Sequence, residues 1–319
     1  MKAAVVRSFD TPAEYADFAD PEPAEGELVV RVTAAGLHPI VRSLAAGRHY
    51  GSTGHFPLVP GVDGAGRLPD GARVYFGATR PPFGTFAERS LTAANWTLRL
   101  PDNVEDATAA AMMNPGMSSW AALSERAQFE AGEGVLIQGA TGSGGRMAVQ
   151  ICRRRGARRI VATGRDAKAL EGLRALGADA TISLELERDA LVQAYRDALA
   201  EHQVSVILDY LWGSPAEALL AAITQRGLQH IARRIRYVQI GSIAGPRIAM
   251  PAEALRSSGL EMVGSGFGSV SIDRIFAVLG EFVKEAGREP FAMDVQRAPL
   301  ADVGKLWSAK TEARLVFEP

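Results

Sequence analysis

Hydrophobic positions follow two different rhythms along the chain. The first hundred-odd residues contain short apolar segments such as Glu27–Ala34, in which Leu28, Val30 and Val32 share one face, as in a strand. Glycine and proline recur so often between residues 36 and 69 that the intervals suit short strands and loops rather than long helices. This part of the chain is therefore predicted to be β-rich.

From about residue 135 the rhythm becomes an alternation of apolar runs and helix-length segments. The apolar runs begin near Val135, Ile160, Ala180, Val204, Tyr237 and Leu260. Amphipathic segments separate the earlier runs, and a shorter segment interrupted by proline precedes the last. Such alternation is typical of parallel strands joined by crossover helices, so the sequence predicts an α/β fold with a doubly wound, six-stranded parallel sheet.

The last fifty-odd residues follow a third pattern. A helix is predicted near Ile272–Ala286, another near Leu300–Ser308, and a final strand at Arg314–Phe317. The pattern alone allows this tail either to close the sheet domain or to return and complete the N-terminal β-rich part.

Composition narrows the class of protein. A length of 319 residues indicates about two domains, and 47% hydrophobic with 22% charged residues is typical of globular proteins rather than disordered, collagen-like or coiled-coil chains. The formal net charge of -1 gives no long-range attraction to a phosphate backbone. The arginine clusters at 153–159 and 233–236 are therefore predicted to be solvated helix ends, and no nucleic-acid partner is expected.

The single cysteine and the apolar runs bear on the compartment. Cys152 has no partner for an internal disulfide, and it shares a predicted helix face with Met147 and Ile151, which favours a small buried core residue. The apolar run Met1–Val6 is too short for a signal-peptide core, and no other stretch reaches membrane-spanning length. We expect a cytoplasmic protein without a membrane partner.

The most informative segment joins a buried strand to a helix through a glycine-rich loop. After Val135–Gln138 the loop contains Gly139, Ala140, Thr141, Gly142, Ser143, Gly144 and Gly145. Glycine at 139, 142 and 145 serves a tight turn, a close approach to a pyrophosphate and close packing of the helix on the strand. The anion would then bind at the N-terminus of the helix, so the loop predicts a dinucleotide cofactor.

The end of the second strand favours NADP(H) over NAD(H). An NAD site usually has an acid about 20 residues after the loop, on the ribose 2′-hydroxyl, whereas this chain has Gly164 followed by Arg165. Arg165 and Lys168 are predicted to pair with a 2′-phosphate. A register error of two residues would instead make Asp166 the ribose acid, and that alternative stays open on the sequence.

Several segments together resemble the medium-chain dehydrogenase/reductase superfamily, and more closely its zinc-independent quinone oxidoreductase branch, which includes the zeta-crystallin-like proteins. The resemblance covers effectively the whole chain. It lies in the segments Met1–Val6, Ala34–Pro39, Leu58–Gly66, Gly139–Gln150, Arg155–Ala157 and Leu176–Asp179. It implies a GroES-like β-rich catalytic domain formed by residues 1–117 and 267–319, with a Rossmann domain at 118–266. It also implies a homodimer, because Leu260–Val263 resembles the sheet-extending dimer edge of the family.

The resemblance also indicates which metal ligands are missing. Zinc alcohol dehydrogenases of the superfamily have a cysteine where this chain has His38, a His-Glu pair at Val62-Asp63, and another cysteine near Pro115. The four-cysteine structural zinc lobe is absent. Zinc needs three or four ligands at one point, and these substitutions leave at most His38 and Asp63, so no metal is expected.

This donor set favours one reaction class. Hydride reduction of a plain ketone forms an alkoxide that needs a Lewis acid or a strong proton donor, whereas a quinone or conjugated enone forms a delocalised anion that needs far less help. The sequence therefore predicts an NADPH:quinone oxidoreductase that reduces a small-molecule quinone or enone. Two alternatives remain, namely a non-catalytic NADPH-binding sensor, RNA-binding or structural protein of the zeta-crystallin type, and a zinc-free alcohol or aldehyde reductase.

A short-chain or NmrA-type reductase or sensor is not supported. Such proteins have their Gly-Ala-Thr-Gly loop near the N-terminus, and the enzymes among them use Tyr-x-x-x-Lys. Here the loop begins at Gly139, and no tyrosine has a lysine four positions later.

Candidate residues on the substrate side come from position and residue type. Asn114 precedes Pro115 between the predicted domains and is the first choice for a polar active-site group, the alternative being a turn residue. Tyr50 would bond or stack on the acceptor ring, or pack in the core. His38 would donate a proton or bond the substrate carbonyl, although a lone histidine is more often structural. Gly241, Ser242, Gly264 and Ser265 follow strand ends and are expected near the nicotinamide, as in the family.

Overall fold

The computed structural model describes residues 1–224 and 233–319 and divides the chain into two compact units. One unit contains Met1–Asn114 and Leu279–Pro319, and the other contains Pro115–Val278. Among the described residues, no helix is both long enough and apolar enough to cross a membrane.

The strands of the described residues are numbered in chain order. They are β1 Lys2–Val5, β2 Glu14–Asp17, β3 Glu27–Gly36, β4 Asp63–Arg67, β5 Arg73–Gly77, β6 Arg89–Ala93, β7 Thr97–Arg99, β8 Gly134–Gln138, β9 Arg159–Gly164, β10 Ala180–Ser183, β11 Val204–Asp209, β12 Arg234–Gln239, β13 Gly259–Gly264, β14 Val295–Pro299 and β15 Arg314–Glu318.

The helices are numbered in the same way. They are α1 Pro39–Ala45, α2 Asp106–Ala121, α3 Ser143–Arg154, α4 Ala167–Ala175, α5 Arg188–Glu201, α6 Gly213–Ile223, α7 Ala252–Arg256, α8 Ile272–Arg288 and α9 Val303–Leu306. Short 3₁₀ turns occupy Ala94–Trp96 and Leu300–Asp302, and one π-helical turn, Ala122–Arg126, follows α2.

The first unit is built on a mixed β-sheet. Its strand order is β14-β15-β3-β4-β5-β7, with β6 paired to β3 and a separate ribbon of β1 and β2. β15 pairs antiparallel with β3, where Val316 faces Gly36 and Phe317 faces Ala35. The C-terminal tail therefore completes the N-terminal β-rich part, and Phe76, Phe86 and Phe317 are buried in its core.

The second unit contains the predicted parallel sheet. Its strand order is β10-β9-β8-β11-β12-β13, and every neighbouring pair is parallel. Each strand coincides with one of the apolar runs, because a strand covered by helices on both faces needs apolar residues on both. The fold class predicted from the sequence is confirmed.

The amphipathic helix after the glycine loop is also observed as predicted. α3 buries Met147, Ala148, Ile151 and Cys152. Burial raises the pKa of the Cys152 thiol to about 12, which removes its reactivity as a thiolate at neutral pH. Cys152 is a core residue.

Candidate functional site

The predicted cofactor residues of the second unit meet at one edge of the parallel sheet. Parallel strands place their carboxyl ends together, and β8, β9, β12 and β13 end at Gln138, Gly164, Gln239 and Gly264. The glycine loop follows β8, Arg165 follows β9, Gly241 and Ser242 follow β12, and Ser265 follows β13. Ligands of open α/β sheets bind at such an edge.

Each glycine of the loop has a separate structural reason. Gly139 has φ +84°, a left-handed conformation that suits glycine in the turn after β8. A Cβ on Gly145 would lie 2.4 Å from Cα of Ala140, so only glycine lets α3 begin this close to the loop. A Cβ on Gly142 would meet nothing closer than the Gly139 carbonyl oxygen at 3.9 Å, so this side of the loop is open.

The start of α3 has the geometry of an anion site. Gly142 is its N-cap and offers no side-chain capping group. The first backbone N–H groups of any helix lack partners within the helix, and the helix dipole adds partial positive charge there. An exposed glycine at this point leaves those groups open to a phosphate.

Gly164 has a steric role that its position in the sequence does not reveal. A Cβ at Gly164 would lie 2.4 Å from Cγ2 and 3.0 Å from Oγ1 of Thr141 in the glycine loop. The loop is also tied to β9 by backbone contacts, since Ala140 N donates to Thr163 O at 2.7 Å and Gly139 N to Thr163 Oγ1 at 3.2 Å. The end of β9 and the glycine loop are one packed unit.

The residues after Gly164 separate the two cofactor alternatives. Asp166 caps α4, its Oδ1 accepting a hydrogen bond from Ala169 N at 2.7 Å, so it belongs to the start of the helix and not to the end of β9. Arg165 and Lys168 are exposed, and neither forms a hydrogen bond or ion pair with the residues at 1–224 and 233–319. Two uncommitted cations therefore lie where a 2′-phosphate is expected.

The other predicted cofactor residues lie just beyond β12 and β13. A Cβ on Gly241 would lie 2.5 Å from the Tyr210 carbonyl oxygen, so a larger residue does not fit there. Ser242 is exposed. Ser265 N donates to Gln239 O at 2.8 Å, and Gly264 O accepts from Arg126 Nε at 2.7 Å, which fixes the chain just beyond β13.

In the first unit, His38 and Asp63 lie together in the interior. His38 is 1% and Asp63 4% exposed, and His38 Nε2 lies 3.5 Å from Asp63 Oδ1. Tyr75 donates its hydroxyl proton to Asp63 Oδ2 at 2.6 Å. Burial, with the nearby Arg314 charge, holds the pKa of His38 well below its usual value, and burial raises the pKa of Asp63 to about 7. His38 is thus a neutral, buried imidazole.

Asn114 is not a turn residue, and Tyr50 is not packed in the core. Asn114 is a half-buried residue within α2, not a turn residue, although Pro115 follows it inside the helix. Its amide makes no hydrogen bond with the residues described in the structure. Tyr50 is 74% exposed and packs on His49 with the ring centroids 4.1 Å apart, so it is not a core residue. The roles predicted for Asn114, Tyr50 and His38 stay predictions.

The donor set of the described residues does not fit a zinc ion. His38 and Asp63 are two donors, whereas zinc takes three or four. At 1–224 and 233–319 no three side chains of His, Cys, Asp or Glu converge on one point.

A group of polar residues beneath this carboxyl edge was not predicted from the sequence. Three otherwise apolar strands have a polar residue at or next to their last position, namely Gln138, Thr163 and Asp209. Gln138 donates to Asp209, and these two residues accept hydrogen bonds from the hydroxyls of Tyr195 and Tyr237, respectively. The signal was present, because a polar residue at the end of a buried strand needs a partner.

Comparisons with known proteins agree with this architecture. A family model described as "Zinc-binding dehydrogenase" matches residues 145–284, outside His38 and Asp63. The chain is 26% identical over 363 aligned residues to the probable NADPH-dependent quinone reductase of Emericella nidulans, with 100% of both chains covered.

Two further likenesses have different coverage. The chain is 32% identical over 238 residues to the mycocerosic acid synthase-like polyketide synthase of Mycobacterium tuberculosis, covering 72% of this chain but 11% of the synthase. The quinone oxidoreductase of Thermus thermophilus, whose structure is also known in complex with NADPH, superposes with a TM-score of 0.82 and 26% identity over 100% of both chains.

The fold, the glycine loop at the carboxyl edge and these likenesses define the class: the chain belongs to the medium-chain dehydrogenase/reductase superfamily. Within it, the chain lies in the quinone oxidoreductase branch.

Proposed function

We propose that this chain is an NADPH-dependent, zinc-free oxidoreductase that transfers a hydride to a quinone or an α,β-unsaturated carbonyl compound. One observation supports this proposal above the others. The open glycine loop packs through Thr141 on Gly164, and the two cations that follow Gly164, Arg165 and Lys168, have no partner among the described residues. The Emericella relative named as NADPH-dependent and the NADPH complex of the Thermus protein support the same cofactor.

Each part of the carboxyl edge has an assigned role. The open N–H groups around Gly142 to Gly145 hold the pyrophosphate, and Arg165 and Lys168 pair with the 2′-phosphate. Gly241, Ser242, Gly264 and Ser265 lie beyond β12 and β13 at the same edge and flank the nicotinamide half. When bound, the nicotinamide supplies the hydride, and the protein supplies orientation and electrostatics.

The acceptor class follows from the donor set of the first unit. His38 and Asp63 give too few ligands for zinc, and the neutral His38 has only one N–H to donate. Such a site offers little stabilisation to a localised alkoxide. A quinone or enone spreads the negative charge over the conjugated system, so alignment of donor and acceptor is the main requirement.

Asn114 is the proposed polar contact to the acceptor carbonyl, because its amide is half-buried and uncommitted among the described residues. Tyr50 is the proposed aromatic contact from the exposed turn after α1. His38, as a neutral imidazole with one N–H, is the proposed hydrogen-bond donor to the substrate carbonyl, with Asp63 beside it. Steady-state kinetics of Asn114→Ala, Tyr50→Phe and His38→Gln would separate these roles.

The RNA-binding alternative has less support from the arginine clusters. Arg153 and Arg159 pair with Asp179, and Arg234 pairs with Glu261. Arg236 is buried and pairs with Glu133. These cations are committed to contacts within the unit and do not form an open basic surface.

Oxidation of NADPH measured against a panel of acceptors tests the proposal. The panel contains 9,10-phenanthrenequinone, 1,4-benzoquinone, simple enones and simple aldehydes, each with NADPH and with NADH. We expect turnover with quinones or enones and a preference for NADPH. Tight NADPH binding without turnover on any acceptor would favour a sensor or structural protein, and turnover on aldehydes alone would favour an alcohol or aldehyde reductase.

The proposal includes a homodimer formed through β13. This strand pairs with β12 on one side only among the described residues, so its other edge offers unpaired backbone groups. Light scattering on the purified protein gives the mass directly. The domain limits at residues 117 and 266 are likewise proposed, and limited proteolysis tests them.

A further inference from the structure

A buried polar network lies beneath the carboxyl edge of the parallel sheet. Gln138, Thr163, Asp209, Tyr195 and Tyr237 are each 0% exposed. Tyr195 donates its hydroxyl proton to Gln138 Oε1 at 2.7 Å, and Gln138 Nε2 donates to Asp209 Oδ1 at 3.1 Å. Tyr237 donates to Asp209 Oδ2 at 2.6 Å. Thr163 Oγ1 accepts from Gly139 N at 3.2 Å, and the other four residues come from β8, α5, β11 and β12, so the network joins elements far apart in sequence.

Asp209 is the centre of this network. Besides the two side-chain donors, its carboxylate accepts a hydrogen bond from Leu211 N at 2.8 Å and from Trp212 N at 3.1 Å. No cationic side chain pairs with it within 1–224 and 233–319. Burial raises the pKa of Asp209, while these donors oppose the shift.

The Asp209 carboxylate binds the backbone of the loop that follows β11. Trp212 has φ +56° and ψ −155°, a conformation that side-chain-bearing residues rarely adopt and that surrounding contacts must hold. The two backbone N–H groups that bind Asp209 belong to Leu211 and to Trp212 itself, directly before the two backbone bonds that take this conformation. Asp209 therefore maintains the strained turn.

The same turn contacts the cofactor loops. A Cβ on Gly139 would lie 2.8 Å from Cγ and Cδ2 of Leu211, so the Leu211 side chain packs on the first glycine of the loop. Leu211 O accepts a hydrogen bond from Ala244 N at 2.8 Å, beyond β12. The Asp209 carbonyl oxygen accepts from Gly241 N at 3.1 Å. Leu211, in the loop after β11, thus contacts the loops after β8 and β12.

We propose that Asp209 is a positioning residue for the dinucleotide, fixing the Leu211–Trp212 turn so that the loops at Gly139 and Gly241 keep their binding geometry. This inference rests on the proposed function, because it names what holds the proposed NADPH site in place. A buried carboxylate without a cation is a poor way to stabilise a sheet, since apolar residues of similar volume serve stability as well or better. The geometry of the turn gives this carboxylate a role that apolar residues could not take.

The network has a defined limit. Asp209, Leu211 and Trp212 contact the loops at Gly139 and Ala244, whereas Arg165 and Lys168 form no hydrogen bond or ion pair with them among the described residues. The inference therefore assigns Asp209 to the pyrophosphate and nicotinamide part of the site and not to the 2′-phosphate end. This division provides a readout that a general loss of stability would not produce.

The test compares Asp209→Asn with the wild type by fluorescence titration of NADPH, by competition with adenosine 2′-phosphate, and by thermal unfolding. Trp212 N donates to both carboxylate oxygens of Asp209, at 3.1 Å and 3.2 Å, so whichever way the amide is turned its –NH₂ would face this N–H and disturb the turn. We expect the Kd for NADPH to rise by about tenfold or more, while the competition constant of adenosine 2′-phosphate changes by less than about twofold.

The control is Asp179→Asn, directly before β10 and therefore at the amino ends of the same parallel strands. Asp179 accepts from Ile160 N at 2.7 Å and pairs with Arg153. This change should lower the melting temperature without changing either affinity. If Asp209→Asn does not fold, Tyr237→Phe removes only the 2.6 Å bond to Asp209 and should raise the Kd for NADPH by about threefold with the same selectivity.

Unchanged NADPH affinity in a folded Asp209→Asn or Tyr237→Phe variant would overturn the positioning role of Asp209 but not the proposed function. Equal losses of affinity for NADPH and adenosine 2′-phosphate would do the same. A wild-type protein that binds neither NADPH nor adenosine 2′-phosphate would overturn the proposed function, and this inference with it.

Discussion

The side chain of Thr141 occupies the space into which any side chain at Gly164 would project. The separation between a Cβ built at Gly164 and Thr141 Cγ2 is 2.4 Å, shorter than any real carbon–carbon contact between non-bonded groups. The residue that favours NADP(H) by lacking an acid is therefore also the residue on which the glycine loop packs. Gly164 therefore also supports the loop geometry that both nicotinamide cofactors would require.

Substitution at this contact should affect both nicotinamide cofactors. Gly164→Ala forces Thr141 away from β9, so we expect about 1–3 kcal/mol of lost stability and weaker binding of NADPH and NADH alike. Thermal unfolding and titrations with both nucleotides measure the effect. The matched control is Gly172→Ala, because a Cβ at Gly172 in α4 meets nothing within 4 Å and should add about 0.5–1 kcal/mol of stability. A Gly164→Ala variant with unchanged stability and unchanged affinity for both nucleotides would contradict the packing of Thr141 on Gly164.

Removal of the first cation should affect NADPH alone. Arg165→Ala deletes a charge-assisted contact to the 2′-phosphate, so the Kd for NADPH should rise about tenfold to a hundredfold while that for NADH changes by less than about twofold. Arg174→Ala, in the following helix α4 and paired with Glu171, serves as the control and should leave both values unchanged. Equal losses for NADPH and NADH in Arg165→Ala would refute the 2′-phosphate role.

Closing the open side of the glycine loop should abolish binding without unfolding the protein. Gly142 has φ −76° and ψ 164°, an extended conformation that valine adopts readily, and its Cβ position is open. Gly142→Val should therefore keep the fold, with a cost of about 1 kcal/mol for a poorer N-cap, but exclude the pyrophosphate of NADPH and NADH. Circular dichroism and nucleotide titration measure the two effects, and retained binding would place the cofactor elsewhere.

The buried Asp63 gives a pH dependence of definite sign. Its pKa is about 7 in the folded protein and 3.8 in the unfolded chain, so between these values the native state binds more protons. The unfolding free energy contributed by this group therefore falls as pH rises from about 4 to 7, by about 4 kcal/mol at most. Asp63→Asn cannot ionise, so its stability relative to the wild type should increase across that window.

His38 remains in both proteins, so its opposite dependence, a loss of stability below its unfolded pKa of 6.5, largely cancels from the comparison. Denaturant unfolding at pH 5, 6, 7 and 8 provides the free energies. A constant difference between Asp63→Asn and the wild type over this range would contradict the assignment of a buried, protonated carboxyl.

The sequence predicted those features that depend on local pattern. The apolar runs located the strands of the parallel sheet, and the spacing of Gly139, Gly142 and Gly145 located the loop and the start of α3. The return of the tail to β3 came from the family resemblance, because pairing of Phe317 with Ala35 joins residues nearly a whole chain apart.

Contacts between distant segments account for what the sequence could not predict. The packing of Thr141 on Gly164 and of Leu211 on Gly139 exists only after the strands have taken their order. Asn114 was compatible with a turn because proline follows it, yet the packing of α2 keeps it helical. The partners of Asp209 come from other elements and the following turn, so its place in a network is invisible in the local pattern.

Hydride transfer from NADPH to a conjugated acceptor can be followed by isotope transfer. The protein is incubated with NADPH carrying deuterium at the transferred position of C4 and with an enone that supports NADPH oxidation, and the product is examined by mass spectrometry. We expect one deuterium on the β-carbon of the saturated ketone for each NADPH consumed. NADPH oxidation that leaves the product unlabelled, or no oxidation with any enone or quinone, would contradict it.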